Sequence, residues 1–166
     1  EGAGTIAVEL LEHPDPIDVV YVPVGNGALI NGVGAFFRQR SPQTRIVGVC
    51  AQGAPSMERS WRRNDLVETP SAETIADGVA ARVPIQRALD LMAEVVDSMM
   101  LVDDGQIIEA MRRLFLRQNL VAEPAGAVSL AGSLADPGRD PRETLAVIVT
   151  GSNIDPKRKR EWLLGD

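Results

Sequence analysis

The chain has one cysteine, one histidine and two lysines. No apolar run approaches the roughly 18 residues that a membrane-crossing helix needs. With Cys50 alone, no internal disulfide can form, which points to a reducing, cytoplasmic setting. The sole histidine, His13, sits in the Pro-rich turn "HPDP" and reads as a surface residue rather than a catalyst. Positive charge is also scarce. There are 17 Lys and Arg against 23 Asp and Glu, a net charge of −6, which argues against a nucleic-acid surface because phosphate binding needs clustered cations. The one basic cluster, "PKRKR" at Pro156–Arg160, reads as a solvated tail. The opening "EGAGTIAVELLE" carries neither an initiator Met nor a signal-peptide pattern, and reads as the interior of a longer protein.

What is present fits a globular α/β unit. Hydrophobic residues make up 45% and charged residues 24% of the 166, so neither disorder nor a membrane protein is indicated. A chain of this length hides roughly two-thirds of its unfolded surface, and residues 1–166 are expected to form one unit. Three runs rich in β-branched residues, Ile17–Val24, Arg45–Val49 and Glu143–Thr150, are apolar without alternation, as strands of a parallel sheet covered on both faces are. Asp97–Val102 is a weaker strand. Asp103 and Asp104 then offer N-caps for a helix over Gln106–Gln118, with Ile107, Ala110, Met111, Leu114 and Phe115 on one stripe. Thr5–Glu12 predicts a short helix, and Glu123-Pro124 opens another over Ala125–Leu134. Gln52–Ser71 predicts a loop with a short helix. The expected fold class is therefore α/β, an open, mostly parallel sheet with helices on both faces and right-handed crossovers.

One feature sits where such folds bind ligands. "VVYVPVGNGALINGVGAF" runs from an apolar strand through a Gly-Asn-Gly turn into helical spacing. A loop of this kind lies at the carboxyl edge of the sheet, and the helix starting near Ala28 presents unpaired N–H groups and the positive end of its dipole. Gly25 and Gly27 clear the approach, so the turn can hold an anion, although a lone Gly-x-Gly also serves simply to make a tight turn. The dinucleotide fingerprint fails at Ile30, and the Walker pattern lacks Gly-Lys-Ser/Thr. A single phosphate monoester remains. Gly32 and Gly34 inside the following helix call for a packing reason, which close helix-to-sheet contact would supply.

On these residues the chain resembles the fold type II pyridoxal-phosphate enzymes. "PVGNGALINGVG" is similar to their glycine-rich phosphate loop. "GAGTIAVELLE" (Gly2–Glu12), "TIADGVAARVP" (Thr74–Pro84), "LVAEPAGAVSLAG" (Leu120–Gly132) and "VIVTGSNID" (Val147–Asp155) follow in the family's order. The branch it looks most like is the threonine and serine dehydratases, with serine racemase beside it. The resemblance implies that this chain is the carboxyl-terminal half of the large cofactor domain, with pyridoxal 5'-phosphate as cofactor. Gly25, Asn26, Gly27, Ala28 and Leu29 would then donate backbone N–H groups to its phosphate, with Asn26 accepting the backbone angles of a glycine. Thr150, ending the last strand, would face the pyridine nitrogen, and Gly78 and Glu123 would line the ring. For Gly78 and Glu123, the competing readings are a helix-start glycine and an acid beside a helix N-terminus. Cys50 and Ser56 occupy the positions where the racemase branch carries its metal ligands, so no metal is expected there. Cys50 reads as a buried strand-end residue.

The resemblance further implies β-elimination of ammonia from a small amino acid such as threonine or serine, in a homo-oligomer. It also places the Schiff-base lysine in the remainder of the enzyme, ahead of the first segment matched here. The two lysines present, Lys157 and Lys159, lie in "PKRKR". No residue of this chain is therefore expected to be the catalytic nucleophile. Two other readings stand beside this one: a threonine synthase-like or other β-replacement enzyme on the same scaffold, and a non-catalytic fragment that pairs with a partner chain through exposed sheet edges.

Overall fold

A computed structural model describes residues 2–164. Helix α1 (Gly4–Leu10) leads through the His13 turn to strand β1 (Val19–Pro23), then α2 (Ala28–Arg40), β2 (Arg45–Ala51) and α3 (Ser56–Arg63). A 3-10 turn at Asp77–Val79 precedes α4 (Gln86–Val95), β3 (Ser98–Val102), α5 (Asp104–Gln118), α6 (Pro124–Ala135), β4 (Leu145–Val147) and α7 (Pro156–Lys159). The described strands form one parallel sheet in the order β3-β2-β1-β4. The chain therefore builds outward from β1 to β2 and β3, then returns to place β4 on the other side of β1. This reversal is the topological switch at which open α/β folds leave a crevice.

Strand alternation divides the core in two. On β1, Val20 and Val22 pack with α1–α4, against Ile30, Val33, Phe37, Met57 and Met92. Val19 and Tyr21 point the other way, toward α5 and α6, with Ile107, Met111 and Val128. Both sets are fully buried, and each such side chain contributes roughly 1.5–3 kcal/mol by leaving water. A strand buried on both faces has no polar positions to spare, which is why β1 reads as an unbroken apolar run.

Several expectations are corrected in detail. The last strand is three residues, not the whole of Glu143–Thr150, and its residues are only half-buried. The amide of Ile148 still reaches the Tyr21 carbonyl, but the Thr150 amide turns to Gly126 of α6, so helix contact ends the ladder. Gly32 and Gly34 pack helix to helix rather than helix to sheet. A Cβ on Gly32 would lie 2.7 Å from that of Ala3, and one on Gly34 would lie 2.8 Å from Val95 at the end of α4. The "PKRKR" segment is largely solvent-exposed, as expected, but it is helical and leads into a docked turn. Asp155 caps α7, and the wide turn that follows (Arg160–Leu164) buries Leu163 and accepts a 2.7 Å hydrogen bond from Arg112 Nε of α5 to the Trp162 carbonyl. Helix α4 is absent from the expectations, although Leu89, Met92 and Val96 repeat at helical spacing. Asp103 does cap α5, in a reciprocal box with Gln106.

Candidate active site

The site grows from the end of β1. After Pro23, the Val24 amide is held by Val49 of β2, and the chain then turns through Gly25, Asn26 and Gly27 into α2. Gly27 takes φ 88°, a left-handed conformation that glycine adopts without strain. Asn26 does not take glycine-like angles, contrary to the expectation. Its side chain instead folds over the turn so that Oδ1 accepts from the Ala28 amide at 3.2 Å. Of the five loop amides expected to face an anion, Ala28's is thus already hydrogen-bonded. Among the described residues, no acceptor takes those of Gly25, Asn26, Gly27 or Leu29.

These amides border a cavity of about 390 Å³ at the carboxyl edge of the sheet, beside the junction of β1 and β4. The cavity brings together all eight residues singled out above: Gly25, Asn26, Gly27, Ala28, Leu29, Gly78, Glu123 and Thr150. The second wall is the 3-10 turn, pressed so closely on the loop that a Cβ on Gly25 would come 3.1 Å from the Cα of Val79. The third wall is the N-terminus of α6. There the Glu123 amide donates to the Gly151 carbonyl at 3.1 Å, and the Glu123 carboxylate accepts from the Asn153 amide at 3.2 Å. Glu123 therefore braces the turn after Thr150 while lining the cavity. Thr150 lies three residues beyond β4 rather than at its end. Its hydroxyl makes no hydrogen bond within the described residues.

The cavity has no Lys, Arg or His among its lining residues, and two acids, Asp77 and Glu123, belong to it. An anion bound there would be held by backbone amides and by the N-terminal dipoles of α2 and α6, not by a side-chain cation. Asp77 and the backbone of Val79–Ala81 are lining groups that sequence reasoning missed. The signal lay inside "TIADGVA", but a three-residue turn has no periodicity to read. The lysines lie elsewhere, on α7, whose following turn docks on α5. His13 is exposed, and its Nδ1 accepts from the Asp15 amide at 3.2 Å.

Cys50 is buried on β2. Desolvation pushes its thiol up to about 12, and the charge of Glu58 adds to the shift against an opposing backbone hydrogen bond, so the group stays neutral. Ser56 spends its hydroxyl on the Ala81 carbonyl at 2.7 Å. Among the described residues, no three His, Cys, Asp or Glu side chains cluster to hold a metal, and no helix is long and apolar enough to cross a membrane. A larger cavity of about 680 Å³ lies between α1, α2 and α4. Its walls are mainly Ala, Gly, Val, Ile and Leu.

The sequence and the fold are both shared with known proteins. The pattern of the family described as "Pyridoxal-phosphate dependent enzyme" matches residues 1–151. The chain is 35% identical over 154 residues to an L-threonine ammonia-lyase of Thermotoga maritima, covering 93% of this chain and 38% of that protein. It is 32% identical over 159 residues to a serine racemase of Oryza sativa subsp. indica, covering 93% and 47% respectively. The structure of the processed form of threonine deaminase isoform 2 from Solanum lycopersicum superimposes with a TM-score of 0.92 at 33% identity, over 97% of this chain and 45% of that one. The chain therefore spans less than half the length of these relatives.

Proposed function

Because the chain belongs to the family of pyridoxal-phosphate-dependent enzymes, we propose that it supplies the phosphate loop and the pyridine-nitrogen contact of an ammonia-lyase that deaminates threonine or serine to a 2-oxoacid. The observation that carries this reading is that one cavity is lined both by Gly25, Asn26, Gly27 and Leu29, whose amides have no acceptor among the described residues, and by Thr150, whose hydroxyl makes no hydrogen bond among them. A phosphate monoester fits that donor set, because the amides and two helix dipoles offset its charge without a cation. When bound, pyridoxal 5'-phosphate supplies the electron sink that stabilises negative charge at the substrate's α-carbon.

The chain's own residues then orient the group. The free amides of Gly25, Asn26, Gly27 and Leu29 anchor one end. Gly78 lets the 3-10 turn press against the start of α6 and so shapes the wall between them, since a Cβ there would lie 2.9 Å from that of Ala125. Thr150 offers a neutral hydroxyl to the ring nitrogen and does not fix a proton on it as a carboxylate would. That limits electron withdrawal and suits β-elimination better than transamination. The nucleophilic lysine is assigned to the remainder of the enzyme, because Lys157 and Lys159 stand on α7, outside the cavity lining. Similarity to threonine ammonia-lyases supports the substrate class, and a homo-oligomer is part of the same reading.

The test compares the complete enzyme with the 166-residue chain. The complete enzyme should release ammonia and 2-oxobutanoate from threonine. The chain alone should release none, and should give no stoichiometric absorbance of a lysine-bound cofactor. Product formation from phosphohomoserine without 2-oxoacid release would assign a β-replacement enzyme instead. Robust deamination by the chain alone would bring a tail lysine into the site.

A further inference from the structure

The 3-10 turn that forms the second wall has little structure of its own. It spans three residues, with short-range bonds from Val79 to Ala76 and from Ala80 to Asp77. Its position is set from outside: Ser56 holds the Ala81 carbonyl beyond it, and the first residue of α5 holds the segment that leads into it. Asp104 Oδ1 accepts from the Thr74 hydroxyl at 2.5 Å, and Oδ2 accepts from the Ile75 amide at 3.2 Å. Thr74 Oγ1 in turn accepts from the Ala76 amide at 3.2 Å, the residue from which the turn begins. The adjacent acid is employed differently: Asp103 accepts from the Gln106 amide at 2.8 Å and caps its own helix.

We propose that Asp104 is a positioning residue for the cofactor cavity. It fixes the Gly78 wall through Thr74 and Ile75 without lining the cavity itself. The inference rests on the reading of that cavity as the pyridoxal-phosphate site. A carboxylate suits the task because charge-assisted hydrogen bonds are stronger than neutral ones, and because the first turn of a helix favours negative charge. Its base is rigid, since the 15-residue α5 packs along the buried α6. Displacement of the wall by even about 1 Å would misplace groups around a bound cofactor.

The experiment uses the complete enzyme and two readouts: hydrogen exchange of amides 74–80 in the cofactor-free form, and the dissociation constant for pyridoxal 5'-phosphate. Asp104→Ala should speed exchange in that segment and weaken cofactor binding by about tenfold, the loss expected for charge-assisted hydrogen bonds. Thr74→Val should move both in the same direction by less. Asp103→Ala should lower the melting temperature yet leave both readouts unchanged. If Asp104→Ala does not fold, the isosteric Asp104→Asn together with Thr74→Val decides the matter, with sub-additive effects in the double variant. Exchange no faster than in Asp103→Ala, or faster exchange with unchanged cofactor affinity, would overturn the proposal. Failure of the unmodified enzyme to bind the cofactor would sink the functional reading instead, and the exchange comparison would still uphold or overturn the hold of Asp104 on the segment.

Discussion

The two sides of the cavity are built by different means. The β1 side is continuous chain: a strand buried at every residue runs through four residues, Val24–Gly27, into α2, so the loop is placed mainly by its neighbours in sequence, with Val24 held by Val49 of β2. The β4 side is assembled from a distance. β4 is short and half-buried, Val149 is 38% exposed, and Thr150 depends on α6 for its position. Ser129 Oγ holds the Ile148 carbonyl at 2.5 Å, the backbone at Gly126 lies directly against the Thr150 carbonyl, and Glu123 braces the turn beyond. A local wall tolerates change outside itself. An assembled wall fails when any partner is altered.

The sharpest way to break that contrast is at Gly126. A Cβ there would run into the carbonyl oxygens of Thr150 and Gly151, so Gly126→Val should destabilise the protein by about 3 kcal/mol, as overpacking at a backbone contact does, and displace Thr150. Chemical denaturation measures the loss, and unaltered stability would show that the β4 side does not lean on α6. On the local side, Gly27→Val forces a side chain into φ 88° and within 2.9 Å of Met92 Sδ. This should cost about 2 kcal/mol and weaken cofactor affinity in the complete enzyme. Affinity equal to that of the unmodified enzyme would remove the loop from the phosphate site.

A smaller effect is expected at Thr150. Thr150→Ala should reduce turnover about tenfold through loss of one hydrogen bond, whereas Thr150→Ser should stay close to the original. Equal loss in both would mean that the methyl group, not the hydroxyl, matters. The effect that is smallest at neutral pH reads the sheet between the walls. Cys50 and Tyr21 are both buried acids whose proton release is pushed up by desolvation, and the Tyr21 hydroxyl additionally donates to Asp136 at 2.8 Å. Both hold their protons longer when folded, so the unfolded chain releases protons first as pH rises. The Cys50 contribution is fully present below the ordinary thiol value of 9.0 and falls away from there up to about 12. Cys50→Ala should flatten the decline of stability with pH across that window. A slope identical to that of the unmodified protein would show that the thiol titrates normally.

Patterned segments were legible in the sequence. The apolar runs of β1 and β2 and the stripe of α5 describe elements whose burial repeats along the chain. The glycine loop was legible because turn, strand end and helix start are contiguous. The site was less so where backbone angles and long-range partners decide. Asn26 looked like a glycine substitute, yet within this loop it is Gly27 that takes the left-handed angle, and Asn26 turns its side chain onto the Ala28 amide. The run Val147–Thr150 looked like strand throughout, because β-branched residues favour extended backbone whether or not a partner strand is beside them.

By itself, the sequence determined an α/β chain with a parallel sheet, a glycine-rich turn after its first strand, and lysines confined to one segment. These follow from periodicity and composition, which act locally along the chain. Only the tertiary structure decided that β4 stops at Val147, that Gly32 and Gly34 serve helix contacts, that "PKRKR" leads into a docked turn, and that Asp104 reaches across to Thr74. Each of those outcomes depends on which groups meet in space, and a hydrogen bond or steric contact between residues 24 or 30 positions apart leaves no periodic trace in the sequence between them.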